Sequence, residues 1–265
     1  KKYKIEPAAT KKNVAIIGGG IGGMEAAIVC AKRGHSVTLY EKDDKLGGVF
    51  IAAAAPSFKE KDKQLITWYK REIRKYKIPV KFNTEVTDIS TLNADEVVVA
   101  TGAVARTLPV QGAEYAMSAT EFLLGEKQVG ENVVIVGGGL TGCEIAYELY
   151  LQGKKPTIVE MKDDLIAVTG VCLANTSFLR DFFKANGVPV HLETGVEEIC
   201  EDGVRVKDKD GKTFKILADD VIVSVGYNPA PIAKKAKNVH IVGDANKVGN
   251  LRTVIWQAWD VAMKL

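Results

Sequence analysis

Two glycine-rich loops, "GGGIGG" at Gly18–Gly23 and "GGGLTG" at Gly137–Gly142, lie 119 residues apart in a chain of 265 residues. Each follows an apolar run, Val14–Ile17 or Val133–Val136, and each leads into a second apolar stretch. A strand that turns through Gly-x-Gly-x-x-Gly into a helix points that helix's unpaired N–H groups, and the positive end of its dipole, at the turn. Such a turn attracts a pyrophosphate if no side chain blocks the approach. On this reading Gly18 and Gly137 permit the turn, and Gly20 and Gly139 let the backbone reach the phosphates. Gly23 and Gly142 then allow close helix–strand packing. One such loop is weak evidence. Here each loop is followed, 23 residues after its first glycine, by an acid closing the next apolar stretch: Glu41 and Glu160. A carboxylate there accepts hydrogen bonds from both ribose hydroxyls of an adenosine. The chain reads as binding two dinucleotides.

A repeat of 119 residues is too long for a solenoid unit and suits a small domain. Asn13–Ile17 reads as a buried strand, followed by a helix to about Arg33 with Gly34 as its stop, then strand His35–Glu41. Lys59–Lys77 carries Leu65, Trp68, Tyr69, Ile73 and Tyr76 at helical spacing, and Glu96–Gly102 is another buried strand. After a segment of little pattern, 103–131, the plan repeats: strand Asn132–Val136, helix Leu140–Leu151 and strand Pro156–Glu160. A helix over Cys172–Ala185 follows, then a hairpin turning at Asp210-Gly211. Strand Asp220–Gly226 mirrors Glu96–Gly102, and the chain closes with strand Val239–Val242, "GDA" and a helix from about Leu251 to Lys264. Each half thus runs glycine loop, second strand, hairpin region and late apolar strand. The terminal strand belongs to neither repeat and is expected to return to the first domain.

The fold class expected is α/β, with two Rossmann-like dinucleotide-binding domains. The first covers 1–107 and 227–265, and the second, 108–226, is inserted into it.

A net charge of +3 implies no nucleic-acid partner, and the short apolar runs imply no membrane span. The opening "KKYKIEPAATKKN" has no secretory core, and a start at Lys1 suggests a piece of something longer. Cys30, Cys143, Cys172 and Cys200 form no C-x-x-C pair, which argues against a zinc site, an iron–sulfur cluster or a redox dithiol. Reduced thiols in a cytoplasmic protein are the reading.

"GGGIGG…E…LGG" (Gly18–Gly48), "VVVATGA" (Val97–Ala103) and "VHIVGDA" (Val239–Ala245) resemble the two-dinucleotide-binding flavoprotein superfamily. Further stretches, "IEPAATKKNVAIIGGGIGGMEAA", "AAAPSFKEKDKQLITWYKREI" and "GENVVIVGGGLTGCEIAYEL", resemble the C-terminal part of the 2-enoate reductase and 2,4-dienoyl-CoA reductase family. The resemblance covers essentially the whole chain and implies FAD at the first loop. It places Gly18, Gly20, Ile21, Gly22, Gly23, Glu41 and Lys42 at the adenosine and pyrophosphate, with Val86 meeting the adenine through its backbone. Leu46, Gly47 and Gly48 line the approach to the ring, Ala100, Thr101 and Gly102 pass close to FAD, and Gly243 and Asp244 meet the ribityl chain. The helix starting near Arg252 aims its dipole at the reduced flavin.

NADH is expected at the second loop, on Gly137, Gly139, Leu140, Thr141, Gly142, Glu160 and Met161, and the same resemblance implies that Gly226 and Tyr227 flank the nicotinamide. Glu160 welcomes a free 2′-hydroxyl and repels a 2′-phosphate, although Lys162 partly compensates. Glu144 is either a nicotinamide-positioning group or an ordinary helix residue. Family members carry an N-terminal barrel with FMN and a cysteine-bound 4Fe–4S centre, neither of which this sequence contains. The expected partner is that barrel or another electron acceptor.

Hydride transfer between stacked rings needs no protein acid or base, so no catalytic triad and no metal ligand are assigned. His35, His191 and His240 read as structural, and Cys143 lacks a partner because residues 140 and 146 are Leu and Ala. Trp256 and Trp259, three residues apart, share a helix face and read as packing residues or, alternatively, as residues that shield the flavin edge or meet a partner domain. Lys59–Lys77, with eight basic and three acidic residues, is a solvated face or a docking face. A standalone NADH oxidase or ferredoxin-type reductase is the alternative enzyme, and a nucleotide-binding scaffold or sensor is the non-enzymatic one.

Overall fold

The computed structural model describes residues 4–168 and 170–265. It divides into two compact units: one comprises 1–54, 59–104 and 227–265, and the other 55–58 and 105–226. The sequence boundary at 107 therefore shifts to 104, and Ala55–Phe58 join the second unit. The reason is local. Ser57 donates from its backbone N–H and its hydroxyl to Glu148 Oε2, at 3.0 and 2.8 Å, and the Phe58 ring meets Tyr147 edge-on at 5.1 Å.

The first unit is built on a five-stranded parallel sheet in the order Val239–Ile241, Glu96–Val99, Asn13–Ile17, Ser36–Tyr40, Val80–Lys81. Strand Asn13–Ile17 is central and, from Val14 on, apolar and buried because both of its faces are covered, as a parallel sheet requires. Helix Ile21–Lys32 is buried over its first ten residues, an apolar cylinder rather than an amphipathic one, and Gly34 ends it with φ +94°. Helix Glu60–Lys75 is amphipathic: Ile66, Tyr69 and Ile73 face the core, while acids in its first turn and bases in its last suit the dipole. Fully buried Ile16, Met24, Ile28 and Leu39 anchor the core, each contributing about 1.5–3 kcal/mol by leaving water.

The second unit has the same plan. Its parallel sheet runs Met117–Ser118, Asp220–Val223, Asn132–Val136, Lys155–Val159, Val190–His191. In the first unit the strand beside the late apolar strand comes from the chain's end, and in the second it comes from the start, at Met117–Ser118. That strand lies in the segment read as patternless. Two residues give no period to detect.

A second difference concerns the hairpin expected in each half. The second unit has an antiparallel three-stranded meander, Thr194–Cys200, Gly203–Asp208 and Thr213–Leu217. Among the described residues the first unit has only a 3-10 turn, Ile89–Thr91, between Val80–Lys81 and Glu96–Val99. The turn residues of "FNTEVTDISTLNADE" make an irregular crossover, with Asp88 accepting from Ser90 N–H at 2.9 Å. The last helix, Leu251–Ala262, packs Trp259 on the core but leaves Trp256 55% exposed, so the two tryptophans do not share a buried face.

Candidate functional site

Both glycine loops sit at the C-terminal ends of parallel strands, where open α/β sheets bind ligands. In the first unit Gly18 has φ +102°, and a Cβ there would meet the Ala100 carbonyl oxygen at 2.4 Å. A Cβ on Gly23 would fall 1.8 Å from the Gly18 oxygen. Gly20 is different: a Cβ there would meet nothing within 4 Å, although the residue caps helix Ile21–Lys32. The loop is thus closed where the chain packs on itself and open in front of the helix N-terminus.

The second unit repeats this atom for atom. A Cβ on Gly137 would meet the Ser224 oxygen at 2.3 Å, one on Gly142 the Gly137 oxygen at 1.9 Å, and one on Gly139 nothing within 4 Å. Helix Leu140–Leu151 then begins with Leu140 and Thr141, both half-buried. These cradles fit a pyrophosphate: in each, a Cβ on the middle glycine would meet open space, and that glycine caps a helix whose first N–H groups have no intrahelical partner.

Glu41 and Glu160 are 5% and 9% exposed and hold their own loops. Glu41 Oε2 accepts from Gly19 N–H at 2.6 Å and its Oε1 from Asp43 N–H at 2.9 Å. Glu160 Oε2 accepts from Gly138 N–H at 2.6 Å and its Oε1 from Lys162 N–H at 2.9 Å. An ionised carboxylate has about four lone-pair positions, so each keeps room for ribose hydroxyls after gripping its own loop. These contacts bring in two residues that the sequence reading passed over, Gly19 and Gly138. A Cβ on Gly19 would meet Leu46 Cδ2 at 2.5 Å and Glu41 Oε2 at 2.7 Å, and one on Gly138 would meet Leu165 Cδ2 at 2.5 Å. The signal was present as a third consecutive glycine in both loops.

Leu46, buried, therefore packs under the glycine loop, and Leu165 does the same in the second unit. Gly47 donates its N–H to Gly19 O at 2.9 Å, and a Cβ on Gly48 would lie 3.2 Å from Gly20 Cα. Val86 is buried among Val97, Val99 and Val239, leaving its backbone as the part open to a role. Ala100 N–H donates to Ile17 O at 2.8 Å, Thr101 Oγ1 to Ala230 O at 2.7 Å, and Gly102 O accepts from Ala230 N–H at 3.1 Å. These bonds fix the "ATG" turn beside the first loop.

Gly22 and Gly243 are brought together by Val254, which the sequence reading also missed. Cβ atoms built on them would meet Val254 Cγ1 at 3.1 and 3.3 Å. Asp244 Oδ1 accepts from Gly249 N–H at 3.0 Å, and burial pushes its carboxyl above the usual range. The last helix starts at Leu251, capped by Asn250 and Thr253, so its dipole begins one residue before Arg252. Lys42, Arg252 and Met161 are exposed, and Ile21 is buried. Gly226 is exposed with φ +93°, while Tyr227 belongs to the first unit. Glu144 is half-buried in the second turn of its helix.

Cys143 is fully buried and its Sγ donates to Gly138 O at 3.4 Å. Burial, with Glu160 adding to it, pushes its pKa up to about 12, so the group is a thiol at neutral pH and no nucleophile. The histidine rings are engaged elsewhere: His240 Nε2 lies 2.8 Å from Glu96 Oε2, His35 accepts from Lys12 N–H at 3.2 Å, and the His191 ring packs on Phe214 while its carbonyl accepts from Glu160 N–H at 2.8 Å. Among the described residues no cluster of His, Cys, Asp and Glu could hold a metal ion, and no helix is long and apolar enough to cross a membrane.

Residues 12–248 match the model of the pyridine nucleotide-disulphide oxidoreductase family. The chain is 40% identical over its full length to a cinnamate reductase of Clostridium sporogenes, covering 41% of that protein. It is 34% identical to an NADH oxidase of Thermoanaerobacter brockii, over 99% of this chain and 42% of that one. Among solved structures, a 2-naphthoyl-CoA reductase complex aligns over 99% of this chain and 41% of its own, with TM-score 0.89 and 30% identity. A thioredoxin reductase of T. acidophilum shares the fold over nearly its whole length, with TM-score 0.77 and 20% identity. The chain thus spans less than half of the longer reductases it resembles.

FAD and a nicotinamide dinucleotide are its cofactors, and it is an oxidoreductase. With two nucleotide cradles, two buried acids and no dithiol, the chain belongs to the pyridine nucleotide-disulphide oxidoreductase family, in the form found in enoate and dienoyl-CoA reductases.

Proposed function

We propose that the first unit holds FAD, that the second holds NADH, and that the chain is the electron-input module of a larger reductase. The observation that carries this reading is the doubled cradle, with an open glycine in front of a helix and a buried acid beneath it. When bound, NADH supplies a hydride and FAD accepts it. The protein's share is to bind and orient. Gly20 and Gly139 leave room for pyrophosphates, Glu41 and Glu160 offer lone pairs to ribose hydroxyls, and the N-termini at Ile21 and Leu140 favour negative charge. Ala100–Gly102, Gly243 and Asp244 line the FAD side, and Glu144 and Gly226 the nicotinamide side.

The downstream acceptor lies in protein outside this chain. The names of the cinnamate and 2-naphthoyl-CoA reductases favour an unsaturated acid or acyl-CoA as the final acceptor, and the enoate-reductase resemblance implies that electrons reach an activated C=C bond through an iron–sulfur centre and FMN on an N-terminal barrel. The NADH oxidase relative favours a second reading, in which oxygen takes the electrons directly.

In an anaerobic titration of the FAD-loaded protein, NADH bleaches the flavin at least about tenfold faster than NADPH, since rejecting a 2′-phosphate beside a carboxylate is worth more than about 1.4 kcal/mol. No bleaching with either nucleotide overturns the proposal. Steady turnover with oxygen and no partner selects the second reading.

A further inference from the structure

Arg180, on helix Leu173–Ala185, grips the loop that follows Glu160. Its Nε lies 2.9 Å from Asp164 Oδ1 and its Nη2 2.8 Å from Asp164 Oδ2, a two-pronged fork, and Nη2 also donates to the Leu165 carbonyl. Leu165 packs under Gly138, and Ile166 donates its N–H to the Gly138 carbonyl at 2.8 Å. Ile166 is 2% exposed with φ +51°, a backbone region that β-branched residues rarely enter and that surrounding structure must enforce. The first unit has no such strain, because the corresponding residue is Gly47, with φ +130°. It has no such fork either: the position matching Asp164 is Lys45.

The fork also decides which charges a nucleotide meets. Two cations engage the loop that follows Glu160. Lys162 Nζ is turned to Ala167 O at 3.4 Å, and the Arg180 guanidinium is committed to Asp164. The Cys143 thiol, bonded to the glycine loop, feels Glu160, Arg180, Glu144 and Asp164 together, so all four charges bear on this loop.

We propose that Asp164 and Arg180 are positioning and specificity residues of the nicotinamide-dinucleotide site: their ion pair clamps the strained loop against Gly138 and withholds the guanidinium from a 2′-phosphate. Glu160 then meets the ribose without a competing cation. A free 2′-hydroxyl donates to it, and a 2′-phosphate has no partner. The inference rests on the reading of the second unit as the NADH site.

The test is calorimetric binding of 5′-AMP and adenosine 2′,5′-bisphosphate to the full FAD-loaded chain, in which the first unit is already occupied. Glu160→Ala, Asp164→Ala, the double variant and the double variant carrying Arg180→Ala are compared. Glu160→Ala alone narrows the preference for AMP about tenfold, the share that the carboxylate itself supplies. The double variant binds the bisphosphate at least tenfold more tightly than the two single effects multiplied together, and Arg180→Ala removes that gain. The KM ratio of NADPH to NADH shifts in the same order, which a merely structural loop contact would not produce. If Asp164→Ala fails to fold, Asp164→Asn keeps the shape and carries the same expectation with a smaller gain. A double variant no tighter for the bisphosphate than Glu160→Ala overturns the inference. A wild-type chain that binds neither probe nor NADH overturns instead the reading of the second unit as a nucleotide site.

Discussion

Gly23→Val yields a chain that retains no FAD and melts about 10 °C below the parent, since forcing atoms into a packed site costs about 3 kcal/mol or more. The Cβ alone would lie 1.8 Å from the Gly18 carbonyl oxygen, closer than any non-bonded contact allows. Gly18 O is backbone, held by the Gly18 N–H bond to Tyr40 O at 2.8 Å, so no side chain can swing aside to relieve the clash. Helix Ile21–Lys32 must move off the sheet, and the cradle in front of it opens with it. Gly142→Val has the same effect on the second unit, where the added Cβ would lie 1.9 Å from Gly137 O. Gly22→Ala is the control: its Cβ meets only Val254 Cγ1 at 3.1 Å, a side-chain atom able to give way. Thermal melts and flavin content of the three purified variants check the order.

Glu41→Ala is the second large effect. It strips the acceptor from two N–H groups at once, Gly19 and Asp43, and the Gly19 bond is buried. A buried donor without an acceptor costs about 1–3 kcal/mol, which corresponds to a melting point lower by roughly 5 °C. The loss of a charge-assisted bond to the ribose adds a fall in FAD affinity of about ten- to a hundredfold. Glu41→Gln recovers only part of either loss, because its amide NH2 would set a donor against a donor. Flavin retained after gel filtration, measured against melting temperature, separates the two contributions. Affinity falls further than stability.

The parallel sheets were readable because their strands are continuous apolar runs: "NVAII" and "NVVIV" have no polar face to misplace. The glycine spacing and the two acids marked the cradles. What escaped was of two kinds. Short edge strands such as Met117–Ser118 are created by a neighbour's hydrogen bonds and leave no pattern of their own. Contacts between distant segments, such as Val254 against Gly22 and Gly243 or Arg180 against Asp164, exist only after folding. Gly19 and Gly138 are an intermediate case. The third glycine was visible in both loops, but its reason, an acid folding back beneath it, was not. Trp256 is the opposite case: helical spacing put it beside Trp259 as a packing residue, yet the core ends before reaching it, which leaves the alternative reading of an exposed face.

The central claim, that two similar cradles hold two different dinucleotides, is tested most directly by filling each open glycine in turn. Gly20 and Gly139 have φ near −69° and −68°, and a Cβ on either meets nothing within 4 Å, so Gly20→Val and Gly139→Val leave the fold intact while occupying the phosphate position. Flavin content and NADH bleaching are measured on both variants. The account predicts that Gly20→Val is purified without FAD and still binds NADH, while Gly139→Val keeps its FAD and is no longer bleached by NADH. Loss of FAD from Gly139→Val, with normal flavin in Gly20→Val, would contradict it.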